Sequence, residues 1–118
     1  MKPKGPTEVK SLEFAIDIVE LYKRLNRNRE WVLSKQTLRS GTAIGPLIKE
    51  SEHSESKKDF VHKLSIALKE ANETNYWLEL LWKTDYISKR EFIKHIEKVD
   101  ELKRLLISTI KTTKERYL

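Results

Sequence analysis

The chain has no cysteine, which excludes disulfide staples, zinc knuckles and thiol catalysis together. Three glycines and three prolines in 118 residues are too few for a multi-stranded sheet fold, which needs a tight turn about every ten residues. No apolar run is long enough to span a bilayer, and MKPKGPTEVK at the N-terminus lacks the apolar stretch of a signal peptide. The expectation is a soluble cytoplasmic protein with no membrane partner. A Gly-rich phosphate loop, a cofactor fingerprint and a nucleophile–base pair are also missing. The sequence therefore points away from an enzyme, and no residue is assigned to catalysis or to a cofactor.

What the chain does have is charge and helical periodicity. Charged residues make up 36% and hydrophobic residues 38% of a length that suits one domain with a small core. The net charge of +6 and a pI near 9.5 suit an anionic partner, nucleic acid first. The competing explanation is a solvated surface rich in Lys and Glu, which carries such an excess without binding anything.

Residues 1–6 hold two prolines and a glycine and are expected to form a flexible arm before a single domain over 7–118. Thr7 is a suitable N-cap, with Glu8 placed to meet the helix dipole. Leu12, Ala15, Ile16, Val19 and Tyr22 then recur at helical spacing, with Ile18 and Leu25 on the shoulder. A second helix is expected from about Glu30, with Leu33, Thr37, Gly41, Ile44 and Ile48 as its stripe. A third starts near Ser56 and carries Phe60, Leu64, Ala67, Leu68, Ala71, Asn75, Leu78 and Trp82. Ser88-Lys89-Arg90-Glu91 reads as a capping box, opening a fourth helix through Phe92, Ile96, Val99, Leu102, Leu106 and Ile110. Four such segments with short connections predict an all-α fold, a left-handed antiparallel up-and-down four-helix bundle.

Two features exceed what one core needs. In QTLRSGTAIGPLIKES, Gly41, Gly45 and Pro46 interrupt a helical pattern, and an interior proline costs a helix roughly 3 kcal/mol. The helix should kink or restart there, and the small residues around it suit close approach by a neighbour. The third helix is apolar on a second face through Val61, Tyr76, Trp77, Leu80 and Leu81, a pattern that suits self-association.

Glu50-x-x-His53 and Asp59-x-x-His62 echo the carboxylate–histidine element of di-iron bundles, but a complete site needs such pairs on two helices plus two further glutamates. No metal site is assigned. Glu50 and Glu73 are given a structural role, such as bonding free backbone donors near the helix break. The tentative nucleic-acid contacts fall in two clusters. Lys23, Arg24, Arg27 and Arg29 surround the first turn. Lys103, Arg104, Lys111, Lys114 and Arg116 face Glu115 alone from Leu102 to Leu118, a net +4. In an up-and-down bundle these clusters lie at opposite poles, and an oligomer would repeat each of them.

QTLRSGTAIGPLIKES resembles the second-helix signature of the bacterial four-helix-bundle family associated with intervening sequences in 23S rRNA genes. Gln36, Arg39, Ser40, Gly41, Ile44, Gly45, Ile48 and Glu50 carry the match, and Phe60, Ile66, Ala67, Glu73, Trp77 and Leu78 match the third-helix pattern. Pro46, Leu47, Lys49 and Ser51 depart from it. The resemblance implies a homopentameric ring, and Arg39, Gly41, Gly45 and Pro46 are given structural roles. Through relatives that accompany diversity-generating retroelements, it also implies contact with nucleic acid. The alternative is an adaptor that binds another protein.

Overall fold

The computed structural model describes residues 4–118. Four helices follow one another: α1 (Pro6–Arg27), α2 (Leu33–Ser51), α3 (Lys57–Lys83) and α4 (Lys89–Tyr117), each joined to the next by five residues. α1 packs on α2 and α4, α3 packs on α2 and α4, and the diagonal pairs make no close backbone approach. The result is an up-and-down four-helix bundle measuring 47 × 28 × 21 Å, and no strand occurs among the described residues. Residues 1–3 of the expected arm lie outside those residues. Pro6 is the first residue of α1, so the helix starts earlier than a Thr7 cap would allow. Proline suits that position because its missing N–H has no helical partner there in any case.

The helix starts show how local chemistry sets the boundaries. Glu30 does not begin α2; it caps it. Its carboxylate accepts from the backbone N–H groups of Val32, Leu33 and Ser34, at 3.2, 2.8 and 2.6 Å. These are donors that the first turn leaves without partners. Ser56 caps α3 by accepting from the Asp59 N–H at 3.0 Å, as its spacing predicts. Ser88 caps α4 by accepting from the Glu91 N–H at 3.1 Å. The box is only half formed, however, because the Glu91 carboxylate pairs with Arg24 of α1 instead. Two non-glycine residues adopt left-handed backbone, Arg29 (φ 64°) and Asp85 (φ 67°), one in each turn at this pole.

The core runs through Phe14, Ile18, Leu21 and Leu25 of α1, Ile44 and Ile48 of α2, Leu64, Leu78 and Leu81 of α3, and Val99, Leu102 and Leu106 of α4. On α1 this is not the face expected from periodicity. Leu12 and Ile16 are 51% and 54% exposed, while Phe14 and Leu21 are buried. On α3 the wide apolar arc is explained largely within the protomer. Val61 and Leu81 retain 7% and 0% of their surface, so they are interior residues and offer nothing to an oligomer. A helix at a bundle corner meets two neighbours, and its apolar arc widens accordingly.

α2 runs without a restart through Pro46, which lies on its exposed face. At Gly41 α1 and α2 lie close together. A Cβ there would sit 3.0 Å from both Cγ1 and Cγ2 of Ile18, whereas one on Gly45 would meet only the Ser11 hydroxyl at 3.4 Å. A side chain at Gly41 would thus force Ile18 to shift, whereas one at Gly45 would make ordinary contact. On the other flank the Ser40 and Thr74 hydroxyls lie 2.9 Å apart and join α2 to α3.

Candidate nucleic-acid interface

Because α1 ends and α4 begins at the same pole, the topology collects more cations there than the first turn alone supplies. Arg27 and Arg29 are exposed, Lys23 is exposed and pairs with Glu20 at 3.6 Å, and Arg24 is tied to Glu91. Opposite them, Arg90 and Lys94 rise from the first turns of α4. Lys83 and Lys89 flank the same end, at 4.1 and 6.0 Å from the Trp82 ring, which stacks on Phe92 with centroids 4.6 Å apart. Arg90, Lys94, Lys83 and Lys89 were not among the residues expected to bind. The signal was present: the predicted topology already places the third turn beside the first, and the capping box itself contains Lys89 and Arg90.

A groove of about 690 Å³ opens between α1 and α4 at this pole. The α1–α4 contact is the sparsest of the four in the bundle, and polar ties bridge it. Arg24 pairs with Glu91, Lys98 with Asp17, and Lys10 with Glu101 at 2.8 Å. The hydrogen bond and charge of Glu101 hold the Lys10 amine above its usual pKa. His95 lies in the groove wall, only 4% exposed, and burial pushes its pKa down to about 4. Its Nε2 is 3.9 Å from Glu91 Oε2, while its buried Nδ1 has no partner among the described residues.

The second basic cluster is more dispersed, running from Lys103 and Arg104 midway along α4 to Arg116 at the opposite pole. Lys103 is half-buried and pairs with Asp100 at 3.8 Å, while Arg104, Lys111, Lys114 and Arg116 are exposed. Lys57 of α3 joins them by lying 4.6 Å from the Tyr117 ring. The two clusters therefore do not merge on one protomer, as the sequence implies.

The residues expected to be structural divide. Arg39 pairs with Glu70 at 3.1 Å and with Glu73, and Glu73 also accepts from Trp77 Nε1 at 3.1 Å. Glu73 thus serves side chains that brace α2 against α3, not backbone donors near Pro46. Glu50 is exposed and its carboxylate has no partner among the described residues, which removes the structural role expected for it. Of the expected interface on α3, Tyr76 is 60% exposed, and Trp77 and Leu80 are half-buried. His53 and His62 are exposed. No group of three metal-ligating side chains occurs among the described residues, and no helix of the bundle is long and apolar enough to cross a membrane.

Comparison with known proteins agrees with this architecture. No curated protein matches the chain. Among solved structures, a protein of unknown function from the S23 ribosomal protein family of Bacteroides thetaiotaomicron is similar, with a TM-score of 0.87 and 55% identity over 89% of this chain and 98% of that one. The model of the 23S rRNA-intervening sequence proteins matches residues 8–108. With the two signature helices aligned inside that span, the chain belongs to the 23S rRNA-intervening sequence protein family.

Proposed function

We propose that this bundle is a non-enzymatic oligomer that binds RNA or DNA with little sequence preference, through phosphate contacts from Lys and Arg. The observation that carries the proposal is the meeting of Arg27 and Arg29 with Arg90 and Lys94 at one pole, from elements far apart in sequence. Such contacts release counterions, so binding weakens with salt by a log–log slope of about −0.7 to −0.9 per phosphate neutralised. Electrophoretic shifts of a structured RNA across a salt series test this. A slope of roughly −3 is expected if the four cations named each meet one phosphate. No shift even at the lowest salt would overturn the reading.

Self-association is the second half of the proposal. Val9, Leu12 and Ile16 of α1 form an exposed apolar stripe, continued by half-buried Val19. Beside it a groove of about 350 Å³ is lined by Leu12, Ala15, Gly45 and Pro46. The protomer's own core already uses the other face of α1, so this stripe is free to meet a second copy, and the resemblance suggests a ring of five. Ile16→Glu is expected to reduce the mass seen by light scattering to that of the protomer while leaving the helical circular dichroism intact. A wild-type protein that runs as a monomer would end this part of the proposal.

Exposed Tyr76, beside Trp77 and Leu80, is the observation that favours the adaptor reading, since aromatics are enriched where proteins meet. Capture of a protein partner that survives nuclease treatment would favour it over nucleic-acid binding.

A further inference from the structure

We propose that the α1–α4 groove is a discrete site for a phosphate monoester, the 5′-phosphate of a nucleotide or of a nucleic-acid end. The inference rests on the nucleic-acid reading above and deepens it by naming the group recognised.

The argument starts from how the charges in the groove are matched. Its three carboxylates are all engaged: Asp17 with Lys98, Glu20 with Lys23, and Glu91 with Arg24. Among its cations Arg24 is used, but Arg27, Arg90 and Lys94 have no ion-pair partner among the described residues. The charge left to act on a ligand is therefore positive only, and it comes from both walls. Three cations around one concavity suit a compact dianion better than a diester, which carries a single charge per phosphate. Arginine also offers paired N–H donors that match phosphate oxygens.

The interior of the groove adds a second, independent observation. His95 is 96% buried, with Nδ1 enclosed and unpartnered, and Nε2 on the side of Glu91. With its proton on Nε2, the neutral ring has an N–H on the Glu91 side of the groove wall, while the enclosed Nδ1 stays away from any ligand. Ser88 adds another donor. Its oxygen already accepts the Glu91 N–H, which leaves its O–H available. The volume of about 690 Å³ is ample for a mononucleotide.

The test uses the full chain and two probes. First, a single-stranded RNA of one sequence is compared with a 5′-phosphate and with a 5′-hydroxyl, by fluorescence anisotropy at low salt. Second, the His95 ring resonances are followed during titration with a 5′-mononucleotide and, separately, with inorganic phosphate. The 5′-phosphorylated RNA is expected to bind roughly tenfold more tightly, with the gap closing in an Arg90→Gln/Lys94→Gln variant. The mononucleotide should shift His95 in the wild type and not in that variant. A response to inorganic phosphate equal to that of the nucleotide assigns the site to free phosphate; a response to the nucleotide alone assigns it to a nucleotide end. RNA bound equally with either end, together with an unmoved His95, overturns the groove site while leaving general nucleic-acid binding standing. If no RNA binds at all, the general reading fails, and the His95 titration still decides the groove.

Discussion

Between pH 6.5 and pH 4 the fold is expected to lose about 3 kcal/mol of stability through His95 alone, as the pKa difference between the unfolded and folded states implies. Burial is the main cause of the low folded-state pKa. Lys94, Lys98 and Arg24 add to it, and Asp17 opposes it. The sign follows from proton binding. At pH 5 the unfolded chain holds a proton on this histidine and the folded chain does not, so acidification favours unfolding. The contribution is complete above pH 6.5, is lost progressively as the pH falls, and is exhausted near pH 4. Because the ring is 4% exposed, solvent screens this effect little. Urea denaturation at pH 7 and at pH 4.5 should show a steep fall for the wild type and a shallower one for His95→Gln. The comparison isolates the histidine from the carboxylates, which titrate over the lower part of the same range. Equal slopes for the two proteins would sink the assignment.

Glu30→Ala should lower stability by about 2 kcal/mol. Three backbone N–H groups converge on its carboxylate, including that of fully buried Ser34. Each buried donor left without an acceptor costs about 1 kcal/mol or more, and a charged acceptor strengthens the bonds being lost. The effect exceeds that of an ordinary N-cap deletion, which costs about 1 kcal/mol and removes one bond. Glu30→Gln keeps one carbonyl acceptor and should recover part of the loss. The denaturation midpoint of both variants against wild type checks the ordering. An alanine variant as stable as wild type would show that water serves those donors equally well.

Glu30 also shows why some of the fold was legible and some was not. Ser56 and Ser88 were readable as caps because a short side chain at fixed spacing can serve only its own helix start. A glutamate before a helix has a longer reach, so spacing alone does not distinguish a cap from a first-turn residue. The four helices, their order and their antiparallel packing follow from periodicity and short connections. The orientation of α1 does not, because the chain carries two apolar stripes at the same period. Phe14, Ile18, Leu21 and Leu25 compete with Leu12, Ile16 and Val19, and the first set is chosen by packing against the other helices, Ile18 against Gly41 included. The first basic cluster was legible from residue type. Arg90 and Lys94 are harder to see in the sequence, because the capping box that holds Arg90 marks a helix start and carries no sign of what lies opposite it.

The uneven packing of the four seams also bears on how the bundle opens. α2 and α3 share the densest contact, and α1 reaches α4 by the sparsest. Sub-global unfolding in proteins follows such boundaries, and departure of α1, which breaks that sparse seam and the α1–α2 seam, leaves the α2–α3–α4 contacts in place. That departure would uncover the small-residue surface around Gly41, shaped to receive the Ile18 face of an α1 helix. In an assembly of identical chains the α1 that returns could come from a neighbour. The loose seam that shapes the groove thus also opens a route to exchange of α1 between protomers.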